Sequence, residues 1–186
     1  IKSIRCKFLN LIENGHTKIA MVAAPTHIST GKERVEGYKT ALKKAELDFD
    51  PGLLKKVPDQ TEGYSREKAY QLTKKLLQDK KDFTALFVAN NFMALGAYKA
   101  LKEAGIKVPK EIALVCFDDL SHDFEINPFF TVMKQPAHTM GKTAAKILVN
   151  KIEDDYEENK QRVVFQPELI VRESSGKNKC GKRTNK

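Results

Sequence analysis

No stretch of the sequence approaches the ~18 consecutive apolar residues of a membrane span, so no membrane partner is expected. Residues 1–14 also lack the long apolar segment of an export signal. Cysteine is scarce: Cys6, Cys116 and Cys180 are odd in number and too far apart for a disulfide scaffold or a thiolate metal site. A reducing cytoplasm is the expected compartment. His16, His27, His122 and His138 are equally dispersed, which argues against zinc. There is no G-x-S-x-G elbow, no Walker loop and no G-x-G-x-x-G, so the common hydrolase, nucleotide and dinucleotide signatures are missing. No cofactor and no catalytic residue is expected. Asp118, Asp119, His122 and Asp123 come nearest to a metal cluster, and four polar residues after a strand read more simply as a solvated loop. An α/β enzyme is kept as a rival that turnover of a ligand would decide. The chain begins at Ile1 rather than Met, as a domain or fragment of a longer protein would.

What is present suits a soluble domain with a substantial core: 186 residues, 41% hydrophobic and 31% charged. The net charge of +9 is unevenly distributed. Lys177, Lys179, Lys182, Arg183 and Lys186 supply five of those charges with no acid among them, leaving +4 for the body. Residues 175–186 therefore read as a disordered basic tail rather than a DNA-binding face.

The most informative stretch is 84–118. Thr84–Ala89 is an apolar run of strand length, and Asn90-Asn91 interrupts it with side chains that favour helix starts. Met93, Leu95, Ala97, Tyr98 and Leu101 then recur at helical intervals until Gly105, with Val108-Pro109 beyond. Ile112–Phe117 is a second apolar strand that ends on Asp118-Asp119. Strand, helix and strand in this length make one parallel βαβ unit. Ligands of such sheets meet the carboxyl ends of the strands, where Asn90 and Asp118 are the first polar side chains.

The flanks continue the alternation. Residues 1–14 carry a helical face of Ile4, Phe8, Leu11 and Ile12 that Gly15 stops. A strand is predicted over 17–24, a helix over 31–46 with Val35, Tyr38, Leu42 and Ala45 inward, and a weak strand over 53–57. A helix over 61–78 carries Tyr64, Ala69, Leu72, Leu76 and Leu77. Residues 121–130 read as a loop, 131–134 as a strand, 139–152 as a helix with Met140, Ala144, Ile147 and Leu148 apolar, and 163–171 as a strand broken by Pro167. This order predicts an α/β fold with a doubly wound, mainly parallel sheet.

Three blocks together resemble the ligand-binding domain of the LacI/GalR family of bacterial transcription regulators. They are GHTKIAMVAAP with RVEGYKTAL (Gly15–Pro25, Arg34–Leu42), FVANNFMALGAYKALKEAGIKVPKEIALVCFDD (Phe87–Asp119) and NPFFTVMKQPAHTMGKTAAKIL (Asn127–Leu148). The resemblance implies a type I periplasmic-binding-protein-like fold, in which two subdomains face each other across a cleft. Residues 1–174 would form the effector-binding and dimerisation domain. About 1–130 and 163–173 would belong to the C-terminal subdomain, and about 135–155 to the remainder of the N-terminal one. The helix-turn-helix headpiece would lie outside this chain, so operator DNA would be a partner only through it. A small effector, a sugar or sugar derivative, and a second copy in a homodimer are the other implied partners. A periplasmic sugar-binding protein shares the fold and is the alternative.

The resemblance also assigns residues. Arg34, by itself a surface arginine at a helix start, matches the R-x-x-G-[FYW] arginine that reaches effector oxygens. A guanidinium fork suits neighbouring hydroxyls or a carboxylate. Asn90 can cap the following helix and still touch effector. Asn91 stands where an aspartate is usual, which removes a charge and keeps capping ability. Asp118 would accept from vicinal ligand hydroxyls, and Asp119 reads as structural. Cys116, where glycine is usual, reads as a buried inert thiol. Gln135 is either a hinge residue or a ligand contact. Thr30 and Gln60 border the implied cleft, and Gln60 cannot stack on a sugar ring as an aromatic would. Leu95, Tyr98 and Ile126 are the implied dimer interface.

Overall fold

The computed structural model describes residues 10–60, 63–79, 82–119, 129–153 and 162–176. Among them six strands form one sheet: β1 (Ile19–Ala23), β2 (Leu54–Lys56), β3 (Ala85–Val88), β4 (Ala113–Phe117), β5 (Thr131–Lys134) and β6 (Glu168–Ile170). Their order is β2-β1-β3-β4-β5-β6. The first five are parallel, and β6 pairs antiparallel with β5 through Met133 and Leu169. The helices are α1 (Ser29–Lys44), α2 (Arg66–Gln78), α3 (Asn91–Glu103) and α4 (Ala137–Glu153). The α/β, mainly parallel expectation is met, with a single reversed edge strand.

Strand alternation divides the core between two faces. Ala20, Val22, Leu86, Val88, Leu114 and Cys116 face one side, where α2 and α3 supply Ala69, Leu76, Met93, Ala97 and Leu101. Ile19, Met21, Ala85, Phe87, Val115 and Phe117 face the other, against Val35, Tyr38 and Leu42 of α1 and Leu11 from the helical turn at 10–13. Cys116 is buried, as an inert thiol should be. Because helices cover both faces, the strands read as continuous apolar runs rather than alternating ones. Gly96 lets α3 lie against α2: a Cβ there would stand 2.0 Å from the Arg66 carbonyl oxygen.

The sheet corrects several boundaries. The first helix starts at Ser29 and ends at Lys44, with Ala45 a half-buried C-cap rather than a core residue. The second begins at Arg66, not 61, because Gly63 takes φ +67 and the Ser65 hydroxyl caps the helix by accepting from the Lys68 amide at 3.2 Å. Tyr64 therefore precedes the helix. The apolar face of α4 is uncovered: Met140, Leu148, Val149 and Ile152 are all exposed. The residues after β6 return to the sheet. Ser174 and Ser175 are buried, and Gly176 forms a turn at φ +77. Ser174 Oγ donates to the Leu114 carbonyl at 2.6 Å and accepts from the Thr131 amide at 2.8 Å, fastening this segment to β4 and β5. Residues 1–9, Ile126, His122, Asp123, Cys6, Cys180 and the five tail cations lie outside the described residues. No helix among the described residues is long and apolar enough to cross a membrane.

Candidate ligand-binding site

β1 has β2 on one flank and β3 on the other, so the connections leaving β1 and β3 run to opposite faces of the sheet. Such a switch of direction opens a crevice at the carboxyl ends of the strands. The polar residues gather there. After β1 the chain turns through Ala24–Ile28 and enters α1. Gly31 lets the helix start close against that loop, since a Cβ would lie 2.1 Å from the Pro25 oxygen. One turn further, Arg34 points back over the sheet.

Arg34 is only 7% exposed, and a buried guanidinium needs partners. Its Nη1 donates to the Ala89 carbonyl at 2.7 Å, just beyond β3, and to the Tyr64 hydroxyl at 3.1 Å. Its Nη2 lies 3.6 Å from Asp118 Oδ2. The guanidinium sits over the Phe117 ring, 4.2 Å from its centroid, and 5.5 Å from that of Tyr64. Asp118 follows β4 in the left-handed region at φ +63, which a short polar side chain tolerates better than most. Its amide donates to the Met133 carbonyl at 3.1 Å. Its carboxylate accepts from Gln135 Nε2, which arrives at the end of β5. Thr30 Oγ1 and the Tyr64 hydroxyl share a 2.6 Å hydrogen bond.

Thr30, Arg34, Asp118 and Gln135 are thus brought together from three separate connections. Asn90 adjoins them through the Ala89 carbonyl, while its own Oδ1 accepts from the Met93 amide at 2.9 Å as the N-cap of α3. Gln60 is exposed and makes no hydrogen bond to the cluster. Its loop is tied elsewhere: the Asp59 carboxylate accepts from the Thr26 amide at 2.7 Å. That backbone bond, followed by the Thr26 hydroxyl, holds the Asp59 carboxyl below its ordinary range. Tyr64, a few residues on, brings an aromatic ring to the cluster beside Arg34. The Gly63-Tyr64-Ser65 sequence, a break followed by a capping serine, was the signal for it.

A second linkage supports the turn from outside. Arg172, just past β6, holds the Asp119 carboxylate with two 2.7 Å hydrogen bonds and donates to the Phe130 carbonyl at 3.0 Å. Asp119 is structural, as expected. Leu95 and Tyr98 are half-buried on α3 and pack on the core, Tyr98 edge-on to Phe130 at 5.7 Å. Phe92, one turn earlier, is 53% exposed.

A family model for the periplasmic binding protein-like domain matches residues 8–175. The chain belongs to this family. Within it the chain is a LacI/GalR-type ligand-binding domain, as its relatives indicate. It is 35% identical over 168 residues to the HTH-type transcriptional repressor PurR of Aliivibrio salmonicida, covering 89% of this chain and 48% of that protein. It is 33% identical over 164 residues to the transcriptional regulator CelR of Thermobifida fusca, covering 88% and 46%. The chain spans about half the length of the curated relatives it matches. Among solved structures, a CelR–cellobiose complex superposes with a TM-score of 0.82 at 32% identity, covering 93% of this chain and 51% of that one. A LacI-family regulator from Enterococcus faecium with bound ribose gives 0.79 at 28% identity, covering 94% and 62%. The LacI/GalR-type domain therefore has the periplasmic-binding-protein-like fold that its sequence blocks led one to expect.

Proposed function

We propose that this chain is the effector-sensing and dimerisation domain of a transcription regulator, and that its site binds a sugar or similar polyhydroxyl metabolite without turning it over. The observation that carries the reading is the cluster of Arg34, Asp118 and Gln135 at the carboxyl ends of the strands. A fixed donor fork, an acceptor carboxylate and an amide side by side match the alternating donors and acceptors of vicinal hydroxyls. Tyr64 adds an aromatic surface next to them. The cellobiose and ribose bound by two similar proteins support this ligand class. Asn90 contributes through its backbone neighbour and the cap, and Thr30 by orienting Tyr64.

The uncovered apolar face of α4 supports assigning about 135–155 to a second subdomain that would close over the ligand. Differential affinity for open and closed states would then bias operator binding through a headpiece, within a cytoplasmic homodimer. The test is calorimetric titration with cellobiose and ribose first, then a wider panel of sugars. Asp118→Ala is expected to weaken the best ligand roughly tenfold to a hundredfold while the fold survives. Wild-type affinity in a folded Asp118→Ala protein would move the ligand elsewhere.

A further inference from the structure

We propose that Asn91 is a positioning residue for the Asp118 carboxylate, acting through the main chain of Asp119. The importance given to Asp118 rests on the effector-site reading above; the geometry of the contact does not. Asn91 is the first residue of α3, one position beyond the capping Asn90. Its Oδ1 accepts from the Phe92 amide at 2.8 Å, and its Nδ2 donates to the Asp119 carbonyl at 3.0 Å. The two ends of one amide thus join the start of α3 to the turn after β4.

That turn has an unusual conformation to maintain. Asp118 sits at φ +63, which directs its carboxylate toward Arg34 and Gln135. Left-handed backbone at a residue other than glycine persists where its surroundings fix it. Arg172 fixes the Asp119 side chain, and Asn91 fixes the Asp119 carbonyl. Only a side chain with both an acceptor and a donor can serve the Phe92 amide and that carbonyl together. Aspartate has the same shape and no donor. It would set a carboxylate against a carbonyl oxygen, beside the charges of Asp118 and Asp119.

The experiment uses the 186-residue chain, ¹⁵N-labelled and without ligand. Its readout is the side-chain amide resonance pair of Gln135, which reports the bond to Asp118. Asp118→Ala defines the position of these signals when the bond is lost. Asn91→Asp keeps the acceptor for Phe92 and suits a helix N-terminus, so it should remain folded. It is expected to move the Gln135 signals more than halfway to the Asp118→Ala position, and Asn91→Ala to do the same. The Thr131 amide, bonded to Ser174 on the far side of β5, should not move. A purely structural role for Asn91 would lower the melting temperature and leave Gln135 in place, which overturns the proposal. So would movement in Asn91→Asp that salt abolishes or that Asn91→Ala lacks, because the cause would then be charge and not the lost donor. If Asn91→Ala does not fold, the salt series on Asn91→Asp makes the same distinction. Failure of the effector reading would appear in the Asp118→Ala titration and would leave these spectra unaffected.

Discussion

Arg34 Nη2 and Asp118 Oδ2 are 3.6 Å apart, an ion pair without a hydrogen bond. Each has its firm contacts elsewhere, Arg34 with the Ala89 carbonyl and Asp118 with Gln135. Both charges are fixed in direction, and the space between them is not filled by a mutual bond. A ligand hydroxyl could accept from one and donate to the other with little rearrangement, which keeps the ordering cost of binding low.

Arg34→Lys separates charge from geometry. An ammonium keeps the positive charge and loses the planar fork that reaches Ala89, Tyr64 and Asp118 together. The expected result is roughly tenfold weaker ligand binding, about 1.4 kcal/mol, in a folded protein. Calorimetry with the best sugar from the panel measures it. Unchanged affinity would reduce Arg34 to a structural cation over the Phe117 ring.

Phe92, rather than Leu95, is the sharper probe of assembly. Leu95 and Tyr98 help cover the core, so Leu95→Lys should damage the fold as well as any interface. Phe92 is 53% exposed at the start of the same helix. In a homodimer built on α3, Phe92→Lys should give monomers in sedimentation velocity with little change in melting temperature. A dimer of unchanged mass would remove this end of α3 from the interface.

Tyr38 predicts the alkaline limit of stability. Its hydroxyl donates to the Ile19 carbonyl at 2.8 Å in the core. Burial, and then the charge of Asp50, raises its pKa well above the ordinary 10.0. The unfolded chain would ionise this phenol near its ordinary value while the folded protein keeps it neutral. Its contribution is therefore complete below about pH 10 and declines as pH rises above it, with a slope of up to about 1.4 kcal/mol per pH unit. Urea denaturation between pH 9 and pH 12, values set by that ordinary tyrosine range, should show the decline. Tyr38→Phe should flatten it and cost about 1 kcal/mol at neutral pH. The same slope in Tyr38→Phe would assign the effect to other groups.

Much of this domain is determined by its sequence because its strands are covered on both faces. Burial on two sides demands unbroken apolar runs, and Ile19–Ala23, Ala85–Val88 and Ala113–Phe117 are legible for that reason. The polar residues that follow the second and third runs, Asn90 and Asp118, are legible as lying at the carboxyl ends of the strands. Arg34 and Gln135 needed the family pattern as well, since a lone arginine or glutamine carries no such signal. Only the tertiary structure decided which of these residues meet. Arg34 and Asp118 are separated in the chain by three strands and two helices, and nothing local brings them together. Tyr64 meets Thr30 and Arg34 because Gly63 and Ser65 delay α2, while Gln60 stays exposed in a loop that Asp59 fastens to Thr26. The contacts of Ser174 and Ser175 were not legible for a similar reason. Glu173-Ser174-Ser175 has no periodicity to read, and it is ordered by hydrogen bonds to Leu114 and Thr131, residues over forty positions away. Periodicity records what each residue must bury, whereas a hydrogen bond between distant segments depends on where the sheet puts them.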